Sequence, residues 1–364
     1  MQQTEILLEL IRAAVMDCQP ELPQGVEVDW DALMDRASNH NVLAWVWDSI
    51  CKLPPEQQPP RQQRINWGLS AQEVWDAYAL RKRVVEEMVS VCKKNNIRMM
   101  LLKGIGLSEV YPKPQSRPSG DIDIYLFDDY EKGKELFGEK EVGGTVLHDE
   151  FHYRGVLVEN HKMFVYPNTR VKELVGTHLM KSLDRVVLTS GGYYTFAPLD
   201  NLAYLMMHAF NHIRFVSDDG LYTLKSMVDL VVFFNRYKET FSPDEVKNLM
   251  KSLGLAKPFE LVVCFTEWLL RVDCSPYHQN IIPEEDLKVI YELFMKNGLS
   301  IAIPNKGSFF MKSKKLWERY HIYQTIYRYL PKHKTNIYAV TMRKQLSLLF
   351  HFLRDREVEN DDDM

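Results

Sequence analysis

Two aspartates, Asp121 and Asp123, lie one residue apart in the otherwise apolar stretch DIDIYLF. In a β-strand, side chains two residues apart point to the same face, with their Cα atoms about 7 Å apart. Two carboxylates on one face repel each other unless a cation lies between them, and Mg²⁺ prefers oxygen ligands of this kind. Two such ions can hold both oxygens of an in-line phosphoryl displacement. The spacing therefore favours a metal site for phosphoryl chemistry, with strand-end acids paired to neighbours such as Arg117 as the alternative.

A lysine and a glycine, Lys103 and Gly104, follow the short apolar run IRMMLL and precede a stretch predicted to be helical. Glycine lets the backbone approach a phosphate closely, and a helix N-terminus offers free N–H groups and the positive end of the helix dipole. The ammonium group of Lys103 adds a positive charge for a polyphosphate. The segment indicates a phosphate-binding turn, although a tight strand-to-helix turn with a solvated lysine would show the same residues.

A third acid is expected on a neighbouring strand. In the stretch GVLVENHKMF, the alternation of a strand places Leu157, Glu159 and His161 on one face. We predict that Glu159 completes the group of carboxylates and that His161 lies beside it. The alternatives are that Glu159 is a solvent-facing strand acid, or that Asp149 or Glu150 takes its place.

The elements that must position these residues change along the chain. Apolar residues recur at helical spacing from residue 4 to about residue 85, and again after about residue 198. Between them, strand patterns over 97–102, 121–127, 144–151 and 155–161 alternate with helical ones. This order predicts an α+β fold, in which an α/β-type core with a small mixed sheet is flanked by all-α segments. The predicted parts are 1–85 (N-terminal helical segment), 86–197 (α/β core), 198–355 (C-terminal helical domain) and 356–364 (acidic tail).

The composition excludes several classes of protein. Of the 364 residues, 46% are hydrophobic and 26% are charged, which is typical of a globular protein with two or three domains. A net charge of −4 gives no overall attraction for nucleic acid. The five cysteines form no CxxC pair and indicate neither a zinc site nor a disulfide framework. No apolar run approaches the roughly 20 residues of a membrane span, and the N-terminus lacks the features of a signal peptide, so we predict a cytoplasmic protein.

One C-terminal segment, residues 306–344, is strongly basic and aromatic. It carries ten Lys and Arg residues against one acid, Glu318, with aromatic residues between them. Basic side chains bind phosphate backbones and aromatic rings stack on unpaired bases, which would suit an RNA partner such as tRNA. We favour an amphipathic helix with core aromatic side chains and solvated lysines, and contact with an anionic membrane surface is a third option.

The residues around the aspartates resemble a known family. The stretch LLKGIGLSEVYPKPQSRPSGDIDIYLF is similar to the core of the DNA polymerase β-like nucleotidyltransferase superfamily, and most closely to its bacterial "nucleotidyltransferase family protein" branch. The residues that carry this resemblance are Lys103, Gly104, Tyr111, Pro112, Arg117, Asp121 and Asp123. VLVENH resembles the third-carboxylate strand of that branch, and the likeness extends over roughly residues 28–235.

The resemblance implies a reaction and a set of roles. The reaction would be Mg²⁺- or Mn²⁺-dependent transfer of a nucleoside monophosphate from an NTP to an acceptor hydroxyl, with release of pyrophosphate. Asp121, Asp123 and Glu159 would be the catalytic and metal-binding residues, with Glu159 completing the site or activating the acceptor as general base. The residues implied in nucleotide or phosphate binding are Lys103, Gly104, Arg117 and His161. The acceptor would be a protein, an RNA or a small molecule, and residues 306–344 are the predicted contact for a macromolecular one.

Two other functions stay open at this point. Members of the superfamily that transfer nucleotides usually carry serine or glycine after the turn glycine, whereas Ile105 follows Gly104 here. This difference favours a catalytically silent binding or regulatory protein, while the three acids favour an enzyme. The DxD pattern could also hold a metal against a nucleotide sugar in a glycosyltransferase. Such enzymes need a longer nucleotide-binding sheet before the DxD, and residues 1–96 are predicted to be helical.

Overall fold

The fold is taken from a computed structural model of the chain. The structure describes residues 2–23, 25–214 and 224–295, together with Thr325, Arg328 and Tyr329. Apart from these last three residues, the basic and aromatic segment 306–344 lies outside the described residues, and so does the predicted acidic tail 356–364.

Four helices form the first part of the chain. They are α1 (Gln2–Val15), α2 (Trp30–Asn39), α3 (Leu43–Ile50) and α4 (Arg61–Lys94). Apolar residues at helical spacing bury one side of α1, where Leu7, Leu10 and Ile11 are fully buried. Asp29 caps α2, because its Oδ1 accepts a hydrogen bond from the Ala32 N–H at 3.0 Å. As the sequence predicts, the described residues before residue 100 form helices and turns and contain no strand.

A seven-stranded mixed sheet follows. Its strands are β1 (Met100–Leu101), β2 (Ile122–Tyr125), β3 (Lys140–Gly144), β4 (His148–Tyr153), β5 (Val156–His161), β6 (Val187–Leu188) and β7 (Tyr194–Thr195). Their order across the sheet is β3-β4-β5-β2-β1-β7-β6. β2 pairs in parallel with β5, and β1 with β7, while the other neighbours are antiparallel. The predicted α+β class with a mixed sheet and flanking helices is therefore confirmed.

Further helices lie between and after the strands. They are α5 (Ile105–Ser108), α6 (Tyr130–Phe137), α7 (Arg170–Lys181), α8 (Pro198–Arg214), α9 (Leu224–Tyr237), α10 (Pro243–Ser252), α11 (Ala256–Leu270) and α12 (Glu284–Met295). A capping box starts α10, where the Ser242 hydroxyl accepts from the Glu245 N–H and the Glu245 carboxylate accepts from the Ser242 N–H. Among the helices that the structure describes, none has the length and apolar character needed to cross a membrane.

The two faces of the sheet pack into two hydrophobic cores. Ile122 and Ile124 of β2 point into the smaller core, which β2 shares with the C-terminal half of α4. Tyr125, on the other face, belongs to the larger core. That larger core joins α1 to α3 with α8 to α11, so helices from both ends of the described chain bury apolar surface together. Alternation along β2 therefore leaves one face for Ile122 and Ile124, and the opposite face for the aspartates.

One predicted strand, 144–151, is interrupted in the structure. β3 ends at Gly144 and β4 begins at His148, with a tight turn between them. The Thr145 hydroxyl oxygen accepts a hydrogen bond from the Leu147 N–H at 3.1 Å, and the Thr145 N–H donates to the His148 carbonyl at 2.8 Å. The prediction of one continuous strand is wrong because a threonine side chain closes a turn that hydrophobic alternation does not reveal.

Two described residues of the segment 306–344 lie on the body of the protein. Arg328 Nη1 is 3.0 Å from Asp286 Oδ1 on α12, and the Tyr329 hydroxyl donates a hydrogen bond to the same carboxylate. Tyr329 also packs against the larger core. For this tyrosine the structure agrees with a core role.

Candidate active site

The parallel pairing of β2 with β5 brings the three predicted acids together. Asp123 lies directly opposite Glu159 in this pairing, so both side chains point to the same face of the sheet. Asp121 lies immediately before β2 and two residues before Asp123, and its carboxylate approaches the other two. One carboxylate oxygen from each of the three acids lies within 4.8 Å of the other two. Asp123 and Glu159 are 36 residues apart in sequence, and the register of β2 against β5 fixes the distance between their side chains.

Lys103 lies among these carboxylates. Its Nζ is 2.9 Å from Asp123 Oδ1 and 3.7 Å from Glu159 Oε2. Burial disfavours the ammonium ion, but the neighbouring Asp123 carboxylate outweighs it and raises the pKa of Lys103. Burial also acts against ionised Asp123, yet Lys103 and then His161 hold its pKa well below the usual range. Burial and the charge of Asp123 raise the pKa of Asp121.

Gly104 forms the turn that presents Lys103. Its backbone has φ +56° and ψ −122°, in the positive-φ region that favours glycine. A Cβ on this residue would lie 2.9 Å from the Ser119 hydroxyl oxygen and 3.5 Å from Asp123 Oδ2. Both the backbone conformation and the close approach therefore require glycine. The predicted helix after the turn is α5, which has four residues and therefore forms a single helical turn.

A row of imidazole and carboxylate groups continues along the same face. His161 Nε2 lies 3.1 Å from Asp123 Oδ1 and 3.4 Å from Glu159 Oε2. Burial opposes a charged imidazole, but hydrogen bonds to Asp123 and Glu159 outweigh it and raise the pKa of His161 to about 9. His148 on β4 lies opposite His161, with ring centroids 5.0 Å apart. The reserve acid Glu150, also on β4, lies opposite Glu159 and is 3.1 Å from His148 Nε2.

The other reserve acid, Asp149, projects from β4 to the opposite face. Its Oδ1 is 3.3 Å from Lys162 Nζ, and it is absent from the three-acid group. Of the acids considered from sequence, the structure thus groups Asp121, Asp123 and Glu159, with Glu150 adjoining.

Arg117 is buried behind the turn at Gly104, with 2% of its surface exposed. Its Nε and Nη2 lie 2.7 and 2.9 Å from the two carboxylate oxygens of Asp229 on α9. Its Nη1 donates to the Gly104 carbonyl at 2.7 Å. The Tyr111 hydroxyl donates to the same Asp229 carboxylate. Arg117 therefore joins the turn to α9. The alternative, in which Arg117 pairs with Asp121 or Asp123, is wrong because its guanidinium group binds Asp229.

A cleft of about 230 Å³ opens beside the acids and the turn. One wall is formed by residues of the turn and of the segment before β2, and the other by α8 and α9; the lining residues include Lys103, Gly104, Ser119, Asp121, His208 and Lys225. Within the described part of the chain, Lys225 makes no hydrogen bond and no ion pair. Burial, together with the nearby charge of Arg117, lowers the pKa of Lys225 to about 8. An anion bound in the cleft would compensate this lysine.

The donor set fits a divalent cation that prefers oxygen. Asp123 is 1% exposed, and its Oδ2 has no hydrogen-bond partner among the described residues. A buried carboxylate oxygen without a partner is costly, and a metal ion bound between the acids would satisfy it. Asp121, Asp123 and Glu159 supply the oxygens for such an ion.

Two residues of the site are absent from the sequence-based prediction. His148 begins a strand whose start is hidden by the Thr145 turn, so its pairing with His161 cannot be recognised from the alternation. Lys225 lies four residues before Asp229 in an otherwise apolar helix. That spacing of a lysine and an acid on one helix face is a signal that could have been used.

Comparison with known proteins identifies one family. A sequence model of the protein family described as "Uncharacterised nucleotidyltransferase" matches residues 26–271, which is more than half of the chain. No curated protein and no solved structure matches the chain.

Proposed function

We propose that this chain, which belongs to the uncharacterised nucleotidyltransferase family, is an enzyme that transfers a nucleoside monophosphate from an NTP. The acceptor would be a hydroxyl group, and pyrophosphate would be released. The observation that carries this proposal is the group of three carboxylates, Asp121, Asp123 and Glu159, one of which, Asp121, lines a cleft that also contains two lysines. Phosphoryl transfer depends mainly on positioning and on stabilising charge, which such a group can provide.

The three acids are the proposed metal ligands. Mg²⁺ or Mn²⁺ bound there would act as a Lewis acid toward the phosphate oxygens of the nucleotide. The buried, unpartnered Asp123 Oδ2 and the sheet register that fixes Asp123 opposite Glu159 support this assignment. Glu159 is the least enclosed of Asp123, Glu159 and His161, with 15% of its side chain exposed. It is therefore our choice for the group that completes the site or accepts the proton of the acceptor hydroxyl.

The cleft is the proposed seat of the triphosphate. Lys103 and Lys225 approach it from opposite walls, and Gly104, which needs the freedom of a glycine to form the turn, lines it between them and Asp121. Arg117 donates its hydrogen bonds to Asp229 and to the Gly104 carbonyl, so we propose that it positions the turn and does not bind the nucleotide itself. His161 contacts Asp123 and Glu159, so we propose that it orients these two acids. In this role it would act on the phosphates indirectly, through the acids, and would not contact them.

Transfer of label tests the proposed function. Protein and each α-³²P-labelled NTP are incubated with Mg²⁺ or Mn²⁺ and a lysate of the source cells. We expect label to enter a macromolecule or small molecule with the wild type, and to fall to background with Asp121→Asn and with Asp123→Asn. Asp128→Asn changes an exposed acid just after β2 and should leave the transfer unchanged. Protease or RNase sensitivity of the labelled product then distinguishes a protein acceptor from an RNA.

The catalytically silent alternative has a distinct outcome. The Ile105 after the turn glycine favours it, and so does Lys103, which already neutralises Asp123. Metal-dependent NTP binding without transfer to any acceptor would support this alternative and contradict the enzymatic proposal.

The glycosyltransferase alternative has less support. It calls for strands before residue 90, and the described residues 2–23 and 25–90 contain none.

A further inference from the structure

A second group of ligating side chains lies beside the three acids. It consists of His148, Glu159 and His161, each of which offers one nitrogen or oxygen within 4.8 Å of the other two. His148 Nδ1 is 3.5 Å from Glu159 Oε2, and His161 Nε2 is 3.4 Å from the same oxygen. Glu159 Oε2 therefore lies between two imidazole nitrogens.

The sheet holds this group in place. His148 pairs with His161 across the antiparallel strands β4 and β5, and Glu159 lies two residues before His161 on the same face. The side chains of His148 and His161 are 12% and 6% exposed. His148 Nδ1, which is aimed at Glu159, has no hydrogen-bond partner among the described residues. A buried nitrogen without a partner needs an explanation, and a bound ion provides one.

The chemistry of the three ligands selects a class of metal. Mg²⁺ prefers oxygen ligands, whereas imidazole nitrogen suits zinc, copper, iron and nickel. Two histidines and one carboxylate, with a further position open, are a common ligand set for zinc. We propose that His148, Glu159 and His161 bind a divalent transition-metal ion of the zinc class, next to the proposed Mg²⁺ ligands.

The local charge can accept such an ion. Among the described residues, Lys103 is the only lysine or arginine that makes an ion pair with Asp121, Asp123, Glu150 or Glu159. A metal ion that binds to His161 displaces the proton that Asp123 and Glu159 stabilise there. With both imidazoles then neutral, four carboxylates and one ammonium group give a formal charge of −3. A divalent cation reduces this charge without reversing it. The proposal goes beyond the proposed function, because the ion is expected to bind without a nucleotide and through two residues that the three-acid group does not contain.

Metal titration of the untagged protein tests the proposal. Zn²⁺ and Co²⁺ are titrated without nucleotide by calorimetry and by the visible absorption of bound Co²⁺. We expect one high-affinity equivalent in the wild type, weakened at least about tenfold in His148→Gln and in His161→Gln, since loss of even an outer partner of a metal ligand costs about 10–100-fold. His152→Gln is the matched control, because His152 lies on the same face of β4 outside the group and should bind as the wild type does.

A cysteine variant tests the same site by a new absorption band, which keeps the test valid if a glutamine variant fails to fold. In His148→Cys, the bound Co²⁺ should show a thiolate-to-metal charge-transfer band that the wild type lacks. Equal metal binding in wild type, His148→Gln and His161→Gln would overturn the proposal, as would no binding by the wild type or no such band in folded His148→Cys. Asp121→Asn separates the two proposals: it should abolish nucleotidyl transfer and keep the Zn²⁺ equivalent.

Discussion

At the scale of single residues, Lys103 pairs with carboxylates in the structure and would have a second kind of partner in a bound phosphate. In the structure its ammonium group is the counter-ion of Asp123 and approaches Glu159, which are two of the proposed metal ligands. It also lines the cleft proposed for the triphosphate. A divalent ion that binds to these acids must share them with Lys103, and a phosphate in the cleft would offer the lysine a new partner. Nucleotide binding and metal binding are therefore expected to assist each other.

This arrangement predicts an unusual effect of Lys103→Met. Because the variant removes a positive charge 2.9 Å from Asp123, we expect Mg²⁺ to bind about tenfold more tightly without nucleotide, a gain of about 1.4 kcal/mol. The same variant should bind ATP more weakly. Calorimetric titration with Mg²⁺ alone and with ATP measures both effects.

Lys225→Met is the matched control for Lys103→Met. Lys225 lines the same cleft but makes no ion pair within the described residues, and its charge acts on Asp121 only at longer range. Its loss should therefore weaken ATP binding and change the affinity for Mg²⁺ much less than Lys103→Met does. Unchanged or weaker Mg²⁺ binding in Lys103→Met would show that the lysine does not compete for the acids.

Residue types and period-two spacing are enough to group Asp121, Asp123 and Glu159, because a strand fixes which side chains share a face. The same reasoning cannot assign Arg117. Its partner Asp229 is 112 residues away on a helix, and only the packing of that helix against the turn decides where the guanidinium group points. The spacing of Lys225 and Asp229 shows that they share a helix face, but not that this face borders the turn at Gly104.

At the scale of elements, the buried pair of Arg117 and Asp229 fastens α9 to the turn at Gly104. Both side chains are enclosed, and burial alone would disfavour their charges. The Arg117 guanidinium nevertheless holds the pKa of Asp229 below its usual range. Trp75 of α4 adds a hydrogen bond to Ser116 in the same segment, with 3.0 Å between Nε1 and Oγ. The segment before β2 is therefore tied to two helices.

Asp229→Leu should destabilise the protein strongly. It leaves the Arg117 charge buried without its partner, which costs about 3–5 kcal/mol of unfolding free energy. The double variant Arg117→Met/Asp229→Leu should recover most of this loss, because apolar residues can replace a buried ion pair at little cost. Urea unfolding followed by circular dichroism measures the three free energies.

Activity provides the second readout of the same pair. The double variant still lacks the donor to the Gly104 carbonyl, so we expect its nucleotide binding to stay weak even when its stability has returned. Recovery of stability together with full nucleotide binding would argue against a positioning role for Arg117.

The elements also show where sequence patterns reach their limit. The alternation of helix and strand predicts β1, β2 and β5 and the helices around them. The strands β6 and β7 have two residues each, too few for a period-two pattern to be recognised. The turn between β3 and β4 is closed by the Thr145 hydroxyl, which hydrophobic periodicity does not register.

At the scale of the whole molecule, one core unites the first helices with the last described ones. α1 packs against α3 and α11, and buried side chains such as Leu10 and Cys264 belong to the same cluster. The sequence separates these parts as two helical segments on either side of the α/β core, because sequence patterns show which face of a helix is apolar but not which distant helix covers it. Because both groups of helices pack in this core, we expect a change that destabilises one of them to destabilise the other.

Leu10→Ala should therefore loosen the C-terminal helices as well as α1. Leu10 is fully buried, and truncation to alanine at such a position costs about 2–5 kcal/mol. We expect thiol labelling of Cys264 on α11, followed by mass spectrometry under native conditions, to accelerate in the variant. Leu69→Ala removes the same atoms from an exposed position on α4 and should leave the labelling rate unchanged.

Unchanged labelling of Cys264 in a destabilised Leu10→Ala variant would show that the two ends unfold separately. The predicted boundaries near residues 85 and 198 would then mark independent units.

The pairing of Arg117 with Asp229 also has a consequence for the order of events on the ribosome. Asp229 is synthesised 68 residues after His161 ends β5, a delay of roughly 3–14 s at about 5–20 residues per second. During this interval the emerging chain already contains all three acids and can pair β2 with β5. Its buried arginine still lacks a partner, so the turn at Gly104 is held only by local contacts. The nascent protein thus acquires its carboxylates first and its fixed turn at Gly104 last, so we expect the proposed nucleotide binding only after the helical half has left the exit tunnel.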